Sequence, residues 1–379
     1  MKIKPFAVEE WMNRYETQAS YNIAETCVDS ISLDGLLGLC GVERGSFFDK
    51  LAARRLTYGD ILGAPEYLEG ICRLYEKIRP DQLITTHGAA GANHLLFYSL
   101  IEPGDRVISV TPTYQQLYSI PASFGARVEL LELRRENGWL PDPDELRRMT
   151  AGGVKMICIN NPNNPTGALM GPDLLREIVE IARAAGAWLL CDEVYRGLNQ
   201  DGGRTESVAD LYEKGISVSS MSKVFSMAGI RLGWIAAQDP AVRKACLSHR
   251  DYSLISCGML DEQIAALALA NREKLLARNV ALVQENLAVL LDWIERDPRF
   301  STVPPKAGTT ALIQYHLGQD SVAFCRGLLE QTGALVVPGG CFDQPNSFRL
   351  GYGCATLELR QGLSKLSAYA DGLCGGTLA

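Results

Sequence analysis

A lysine with two serines and an arginine nearby in the sequence is the first candidate for chemistry. Lys223 follows a β-rich run, residues 216–219, so it is expected where a buried strand opens into a polar loop. Ser220, Ser222 and Arg231 place two hydroxyls and a guanidinium, all groups that bind anions, on the same short segment. This combination favours a lysine that forms a Schiff base with a cofactor aldehyde beside a phosphate. A surface turn with a solvated lysine is the alternative, so the other motifs must decide between the two.

A carboxylate is expected at the end of a neighbouring strand. Asp192 follows directly on the apolar run 187–191, and Tyr195 lies three residues further on. A carboxylate at the end of a buried strand requires a cationic partner, because burying an unpaired charge is costly. A protonated pyridine nitrogen would supply that partner, and Tyr195 would then reach the oxygen of the same ring. An Asp that caps a helix is the alternative.

An asparagine and a tyrosine complete the surroundings of such a ring. The segment Asn160–Gly167 contains two Asn-Pro steps, which stop a strand and force an extended loop. The loop presents side-chain amides at the strand end, where Asn164 can donate to a phenolate-like oxygen. A plain turn is less favoured, because a turn does not need two Asn-Pro pairs. Tyr114 ends another strand and can lie flat on a heteroaromatic ring, with a core tyrosine as the alternative.

Two more segments are suited to anions. Residues 86–92, with Gly88, Ala89 and Ala90 at their centre, form a small-residue loop that opens a helix. Backbone N–H groups at a helix N-terminus suit a phosphate, although simple close packing would use the same residues. Arg349 stands between apolar residues, so it is expected to have a fixed anionic partner. Bidentate capture of a carboxylate is the strongest use of such an arginine, with an internal salt bridge as the alternative.

The scaffold that must position these residues is an α/β fold. From Gln82 onward, short apolar runs alternate with amphipathic helical stretches, which indicates a mainly parallel sheet covered on both faces. In such sheets ligands bind beyond the C-terminal ends of the strands, which is where the polar motifs fall. Seven strands are predicted, at residues 83–86, 106–110, 128–133, 155–160, 187–193, 216–219 and 233–237.

The chain is predicted to form a large domain and a smaller α+β domain. An N-terminal arm, residues 1–45, is expected to pack with the small domain and to form part of it. The large domain is predicted at residues 46–275 and the small C-terminal domain at residues 276–379. A long helical region, residues 272–295, is expected to connect the two.

The composition is that of a globular protein and disfavours several classes of function. The 379 residues are 47% hydrophobic and 21% charged, with a net charge of −7. An acidic chain without a basic run is not expected to bind nucleic acid or an anionic membrane. No apolar stretch is long enough to span a membrane and no leader is recognised, which predicts a cytoplasmic protein. The eleven cysteines contain no C-x-x-C pair and are predicted to be reduced, while the four histidines have no metal-ligand spacing, so no metal site is expected.

Taken together, the motifs resemble those of the class I and II aminotransferases. The matching motifs are Asn164-Pro-Thr-Gly, Asp192-x-x-Tyr195 and Ser220-x-Ser-Lys223 with Arg231 eight residues later. The family consists of pyridoxal-phosphate (PLP) enzymes of fold type I, and the resemblance extends over about residues 50 to 375. It implies that Lys223 forms the Schiff base and later moves a proton, and that Asp192 keeps the pyridine nitrogen protonated. Asn164 and Tyr195 would contact the ring oxygen.

The resemblance also implies how the remaining residues act. Tyr114 would stack on the cofactor ring, and Arg349 would bind the α-carboxylate of the substrate. Tyr58 matches the tyrosine that reaches the phosphate of the neighbouring subunit, which implies a homodimer with shared active sites. The residues expected around the phosphate are Gly88, Ala89, Ala90, Ser220, Ser222 and Arg231. Ala90 stands where many relatives have a hydroxyl, so one phosphate contact of the family is not expected here.

The resemblance implies transfer of an amino group from an L-amino acid to a 2-oxo acid. The first steps of that reaction are shared with elimination, cyclisation and decarboxylation on this fold. A PLP-dependent lyase or cyclase is therefore an alternative. Four segments look similar to the capreomycidine synthase branch, which cyclises an arginine derivative, namely residues 8–15, 86–92, 136–138 and 250–252. A decarboxylase is less favoured, because the Arg349 clamp keeps the carboxylate. A non-catalytic ligand-sensing domain is a remote alternative. Such proteins usually carry an added basic DNA-binding segment, whereas this chain is acidic.

Overall fold

A seven-stranded sheet forms the centre of the larger part of the chain in the computed structural model, which describes residues 2–375. The strand order is β2-β8-β7-β6-β5-β3-β4. All neighbouring pairs are parallel except those of β8, which runs antiparallel between β2 and β7. The strands are β2 (Leu83–His87), β3 (Arg106–Thr111), β4 (Arg127–Glu132), β5 (Met156–Asn160), β6 (Trp188–Asp192), β7 (Gly215–Ser220) and β8 (Leu232–Ala237). The prediction of an α/β fold with a mainly parallel sheet of seven strands is confirmed.

A second, antiparallel sheet of four strands lies in the C-terminal part of the chain. Its order is β12-β13-β10-β9, and its strands are β9 (Phe300–Thr302), β10 (Thr310–Tyr315), β12 (Val337–Pro338) and β13 (Ser347–Gly351). Two short strands, β1 (Tyr21–Asn22) and β11 (Ala334–Leu335), form a separate parallel pair. This pair connects the N-terminal arm to the C-terminal part of the chain.

Fourteen helices are formed by residues 2–375. The long helix that was predicted at residues 272–295 is present and is one residue longer. The helices are α1 (Ala7–Tyr15), α2 (Leu33–Cys40), α3 (Arg44–Ala52), α4 (Pro65–Cys72), α5 (Gly88–Leu100), α6 (Gln116–Ser123), α7 (Pro143–Thr150), α8 (Pro172–Ala185), α9 (Val208–Leu211), α10 (Pro240–Arg250), α11 (Met259–Ala270), α12 (Arg272–Arg296), α13 (Ser321–Thr332) and α14 (Thr356–Gly375). Within residues 2–375, no helix has the length and apolar character needed to cross a membrane.

The large sheet is buried on both faces, which explains why its strands read as continuous apolar runs. Strand β5 illustrates the arrangement with its alternating side chains. Met156 and Cys158 pack into a core with α5, α6 and α10, whereas Ile157 and Ile159 pack into a second core with α7 and α8 on the opposite face. Successive side chains of a strand point to opposite faces, so both faces of β5 have to be apolar.

The small-residue segment at residues 86–92 does not form the loop that was expected. Strand β2 ends at His87 and helix α5 begins at Gly88, with no residues between them. Gly88 has a φ of +68°, a conformation that glycine adopts without steric strain. The sharp turn brings the N-terminus of α5 directly to the end of β2.

The N-terminal arm is held against the C-terminal part of the chain by close backbone contact. The indole N–H of Trp11 donates to the carbonyl of Val336 (3.0 Å), and the backbone N–H of Gly351 donates to the carbonyl of Ile23 (2.9 Å). A Cβ atom at Gly351 would lie 1.8 Å from the carbonyl oxygen of Glu25. The glycine is therefore required for the approach of residues 23–28 to strand β13.

We expect Gly351→Ala to destabilise the protein by at least about 1–3 kcal/mol, the usual range for overpacking a close contact. The atoms that a methyl group would meet belong to the backbone, so they cannot move aside by a change of rotamer. Urea unfolding measures the change. The control is Gly38→Ala in helix α2, where a Cβ meets no atom within 4 Å and alanine should add up to about 1 kcal/mol. Equal stability of Gly351→Ala and the wild type would contradict this account of the arm.

Candidate active site

One cavity lies at the carboxyl ends of the central strands and contains most of the residues selected from the sequence. The strand register places Asn160 of β5 beside Asp192 of β6, and Asp192 beside Val218 of β7. The side chains after these strands therefore meet at one edge of the sheet. The predicted residues that line the cavity are Ala89, Ala90, Tyr114, Asn164, Asp192, Tyr195, Ser220, Ser222, Lys223, Arg231 and Arg349.

Lys223 follows β7, and its amine is held by the N-terminal arm. Its Nζ lies 2.8 Å from Oγ1 of Thr26, 3.4 Å from Sγ of Cys27 and 4.0 Å from Oε1 of Glu25. The side chain is 25% exposed. Burial acts to lower the pKa of the ammonium, but Cys27, Tyr195 and Glu25 outweigh burial and raise the pKa above its ordinary value. The lysine is thus a fixed group of the cavity and not a solvated surface side chain.

Asp192 is a buried carboxylate that is surrounded by neutral donors. It is 3% exposed, and its side chain accepts hydrogen bonds from Nδ2 of Asn93 (3.0 Å) and from the backbone N–H of Val194 (3.2 Å). Burial raises the pKa of the Asp192 carboxyl to about 6, although both hydrogen bonds act in the opposite direction. A cation placed against this carboxylate would restore its charge and remove the cost of its burial.

Arg349 crosses from the four-stranded sheet to the cavity, where it meets Asn164. Its Nη1 donates to Oδ1 of Asn164 (3.3 Å) and its Nη2 to the carbonyl of Ala24 (3.1 Å). The side chain is 4% exposed, and burial lowers the pKa of its guanidinium. Its Nε and the hydroxyl of Tyr195 are buried without a hydrogen-bond partner in residues 2–375. Buried donors of this kind are rare in proteins unless a ligand or water satisfies them.

Arg231 and the start of helix α5 form a cradle that depends on two glycines. A Cβ atom at Gly88 would lie 2.8 Å from Nη2 of Arg231, and one at Gly233 would lie 2.4 Å from the carbonyl carbon of Gly88. Arg231 itself has a φ of +52°, a left-handed conformation that costs a non-glycine residue about 1–2 kcal/mol. Strain of this kind is typical of ligand-binding sites. Backbone N–H groups of α5, the guanidinium and nearby Ser220 and Ser222 suit an anion.

Tyr114 lies on the cavity wall with the N-terminal arm against it. Its hydroxyl donates to Oε1 of Glu9 (3.1 Å), and its ring centroid lies 4.9 Å from that of Phe6. Burial and the nearby Glu9 carboxylate raise the pKa of the phenol, so it stays protonated. The ring lines the cavity, and its flat contact with a ligand stays a prediction.

Tyr58 is the one predicted residue that the structure places at a distance from this cavity. It is 64% exposed and lies in a shallow surface depression with His87 and residues 256–261. Gly88 does not line the cavity wall but lies directly behind it, against Arg231. The role of Tyr58 in a neighbouring subunit stays a prediction.

Several cavity residues were missed by the sequence analysis. Most belong to the N-terminal arm, which reaches the cavity through contacts with residues hundreds of positions away, so local patterns carry no sign of them. Asn93 does not line the cavity but donates to Asp192 from helix α5, and a polar residue one turn after Ala89 and Ala90 was a readable signal. The missed polar residues are Glu9, Glu16, Glu25, Thr26 and Asn160, which line the cavity, and Asn93, which bonds to Asp192.

The residues present fit PLP. Asp192 offers a buried carboxylate for a protonated ring nitrogen, and the unpartnered hydroxyl of Tyr195 offers a donor for the ring oxygen. The cradle of Gly88 and Arg231 suits the phosphate, and Lys223 supplies the amine for the aldehyde. No group of three or more His, Cys, Asp or Glu in the described part of the chain is arranged to hold a metal ion.

Comparisons with known proteins agree with this chemistry. The family model for aminotransferase class I and II matches residues 49–366. Capreomycidine synthase of Streptomyces vinaceus is 29% identical over 95% of this chain and 92% of that protein. Aspartate aminotransferase of Pyrococcus horikoshii is 27% identical over 82% of each chain.

Solved structures give the same result for nearly the full length of the chain. A PLP-dependent aminotransferase from Streptococcus suis 89-1591 has a TM-score of 0.95 and 44% identity, covering 98% of this chain and 99% of that one. The PLP-dependent cyclase OrfR has a TM-score of 0.90 and 26% identity, with 98% of both chains covered.

In the cofactor-free protein, we expect Asp192→Asn to raise the free energy of unfolding above about pH 6. Burial raises the pKa of Asp192 from about 4 in the unfolded chain to about 6 in the folded one. The ionised carboxylate is therefore the destabilising form, and stability is lost as the pH rises through this range. The gain from the amide should reach up to about 3 kcal/mol near pH 8 and shrink towards pH 4.5, as measured by urea unfolding.

The matched control is Asp173→Asn, an exposed residue in the first turn of α8, which should change stability by less than about 1 kcal/mol at every pH. Addition of PLP should stabilise the wild type more than Asp192→Asn, because only the carboxylate pairs with a cationic ring. A pH-independent effect of Asp192→Asn would contradict the assignment of the pKa to this residue.

Proposed function

This chain belongs to the class I and II aminotransferases, PLP-dependent enzymes that transfer the amino group of an L-amino acid to a 2-oxo acid, and we propose that Lys223 and its neighbours carry out this reaction. The assignment of roles rests on one observation, which is that three functional groups meet in one cavity. These are the amine of Lys223, the buried carboxylate of Asp192 and the buried guanidinium of Arg349. Amine, carboxylate and guanidinium come from three separate elements of the fold.

The cofactor contacts proposed here follow from the position of each side chain. Asp192 pairs with the ring nitrogen, Tyr195 and Asn164 contact the ring oxygen, and Tyr114 lies against the ring face. The phosphate is held by the N-terminus of α5 with Ala89 and Ala90, by Ser220 and Ser222, and by Arg231 in front of Gly88. When bound, PLP supplies an electron sink for the negative charge that develops at the Cα of the substrate.

Arg349 is proposed to bind the α-carboxylate of the substrate. Its two Nη atoms are already fixed by Asn164 and the carbonyl of Ala24, which leaves its Nε without a partner in residues 2–375. A guanidinium that is held in place loses little further freedom when a carboxylate binds. Fixing the carboxylate also orients the bond from Cα to hydrogen, which determines the reaction that follows.

Lys223 is proposed to move the proton. Once the amino group of the substrate has displaced it, its amine takes the proton from Cα as a general base. Thr26 and Cys27 lie 2.8 and 3.4 Å from Nζ in the structure. They limit how far the free amine can move from the reacting carbon.

A PLP-dependent cyclase or lyase is the second candidate, and one observation favours it. Capreomycidine synthase matches 95% of this chain, against 82–86% for the aminotransferases compared by sequence, and the cyclase OrfR also shares the fold over nearly the full length. The roles proposed for Lys223, Asp192 and Arg349 serve these reactions equally well. Only the identity of the product separates the two candidates.

A homodimer with shared active sites is also part of the proposal. Large apolar side chains are exposed on two adjacent segments, residues 56–62 and 252–260, with Leu56 84% and Tyr252 86% exposed. The two segments are joined by a hydrogen bond from Ser256 Oγ to the carbonyl of Tyr58 (3.0 Å). A contiguous apolar surface of this kind favours a protein interface. Covering it with a second copy would bring Tyr58 to the neighbouring subunit.

The proposed location of the enzyme is the cytoplasm. The ten cysteines from Cys27 to Cys354 form no disulfide, as is usual where thiols are kept reduced. Six of them are fully or nearly fully buried among apolar side chains, namely Cys158, Cys191, Cys246, Cys257, Cys325 and Cys354. They act as small hydrophobic residues of the cores.

Lys223→Ala is expected to abolish the near-visible absorbance that the lysine–cofactor bond gives, together with amino-acid-dependent formation of a 2-oxo acid. Loss of the general base alone typically lowers the rate by about 10²–10⁴-fold. Spectra and a coupled 2-oxo acid assay measure both changes. Lys244→Ala, an exposed lysine of α10, serves as the control and should behave as the wild type. A fully active Lys223→Ala enzyme would refute the proposed role.

The same assay separates the two candidate reactions when the products of a panel of amino acids are identified. A 2-oxo acid formed only in the presence of an amino acceptor supports transamination. Ammonia formed without an acceptor indicates a lyase, and a cyclised product indicates a cyclase.

Mixing Lys223→Ala and Tyr58→Phe subunits is expected to restore activity above that of either variant alone. If Tyr58 serves the neighbouring site, each mixed dimer contains one intact site. After random pairing in a two-fold dimer, roughly a quarter of all active sites would then be intact. Activity after dissociation and reassociation measures the effect. Mixing Lys223→Ala with Arg349→Ala should restore nothing, because both side chains line the same cavity of one chain. A monomer in sedimentation would contradict the proposal.

A further inference from the structure

Three carboxylates of the N-terminal arm line the cavity that contains Lys223. Glu9 lies in the first turn of α1, Glu16 follows the end of that helix, and Glu25 follows β1. Exposed carboxylates are common on any protein surface, and Glu10 on the same helix is one that does not line the cavity. The three glutamates differ from it because they converge on the same space as the proposed substrate site.

Each of the three carboxylates is anchored through one oxygen. Oε1 of Glu9 accepts from the Tyr114 hydroxyl (3.1 Å), and Oε1 of Glu16 accepts from Nδ2 of Asn22 (3.3 Å). Oε1 of Glu25 accepts from the backbone N–H groups of Thr26 (2.9 Å) and Cys27 (3.0 Å). In residues 2–375, the backbone, amide and hydroxyl donors reach Oε1 of each glutamate, and the thiol of Cys27 is a further, weak donor beside Glu25. The anchored oxygen orients the carboxylate and leaves the other oxygen for a ligand.

Two buried groups of the same cavity independently indicate that a polar ligand binds there. Arg349 is 4% exposed and Tyr195 is 1% exposed, yet Nε of the arginine and the hydroxyl of the tyrosine have no partner in the described residues. A buried donor without a partner costs about 1–3 kcal/mol. A bound amino acid and its cofactor would satisfy both donors.

The charges in the cavity do not balance without a further cation. In the proposed function, Arg349 faces the α-carboxylate, Arg231 faces the phosphate and Asp192 faces the ring nitrogen. The arm glutamates then remain. The cations near them in residues 2–375 are the amine of Lys223, 4.0 Å from Glu25, and Arg349, which acts on Glu9 and Glu25 but is already paired with the α-carboxylate. Burial acts to raise the pKa of Glu25, but Lys223 and the hydrogen bonds from residues 26 and 27 outweigh it and lower the pKa, so this group stays ionised at neutral pH.

We propose that the substrate is an amino acid with a cationic side chain, a guanidinium or an ammonium group, which Glu9, Glu16 and Glu25 bind. A carboxylate with a free oxygen accepts strong, charge-assisted hydrogen bonds from either group, and three of them repel an acidic side chain. The inference rests on the proposed function in one respect, since Arg349 must hold the α-carboxylate at the other end of the substrate.

The test compares cationic amino acids with neutral ones of nearly the same shape. L-arginine is compared with L-citrulline, and L-lysine with L-norleucine. Both kcat/KM with the PLP-loaded enzyme and the Kd for PLP-loaded Lys223→Ala, measured by calorimetry, are determined for each pair. Each cationic member is expected to be favoured at least about tenfold, the equivalent of one charge-assisted hydrogen bond. The larger preference of the two pairs identifies whether the side chain is a guanidinium or an ammonium group.

The variants Glu9→Gln, Glu16→Gln and Glu25→Gln should each reduce this preference, and the triple variant should abolish it. Glutamine keeps the shape of the side chain, and the measured quantity is the ratio between the two members of each pair, so a change in rate that is common to both members does not affect it. Glu10→Gln, on the same helix but outside the cavity, is the matched control and should leave the preference unchanged.

Two kinds of failure can be told apart. Equal affinity for arginine and citrulline and for lysine and norleucine, or tighter binding of an acidic amino acid, would overturn the inference even if Lys223-dependent turnover is found. If the affinities follow the side-chain charge but no amino acid is turned over, the inference stands and the proposed reaction fails.

Discussion

The buried carboxylate of Asp192 is the constraint to which the rest of the site conforms. It stands at the end of the central strand β6, 3% exposed and hydrogen-bonded only to neutral donors among residues 2–375. A protein gains nothing from such a group on its own, because desolvation opposes its charge and raises its pKa to about 6. The group becomes favourable when a cation binds against it. The end of β6 thus offers a carboxylate that suits a protonated ring, and Asn93 of helix α5 donates a hydrogen bond to it.

The N-terminal arm completes the cavity that the sheet begins. The arm is held by backbone contact with β13 and β11, and it brings Thr26 and Cys27 to the amine of Lys223. Arg349, in the middle of β13, also bonds to the carbonyl of Ala24. The same contacts therefore fix the arm, the proposed carboxylate clamp and the free lysine amine relative to one another. A shift of the arm would change the pocket without any change in the sheet.

The site residues that could be selected from the sequence are those whose position in the fold follows from local sequence patterns. A polar residue directly after an apolar strand has to lie at the edge of a parallel sheet, which is enough to bring Asn164, Asp192 and Lys223 together. The tight start of α5 at Gly88 was not predicted, because the φ of +68° and the contact with Arg231 depend on the neighbouring strand β8. Glu9 and Glu25 were missed for a related reason. Their place in the cavity is set by contacts with strands more than three hundred residues away, which no local spacing encodes.

The division between sheet and arm also explains why the residues of the site identify the cofactor more readily than they identify the reaction. In their proposed roles, Asp192, Lys223 and Arg231 act on parts of PLP that are the same in every reaction of the fold, so they distinguish poorly between an aminotransferase and a cyclase. The fate of the substrate depends on what its side chain reaches after the Cα proton has gone. In the proposed binding mode the side chain meets the arm, where Glu9 bonds to Tyr114 and Glu25 lies beside Lys223. A carboxylate that fixes a cationic side chain away from the reacting carbons favours simple return of the proton. One that turns a nitrogen of that side chain towards them favours ring closure, so in the proposed binding mode the geometry of the arm would determine which of the two products is formed.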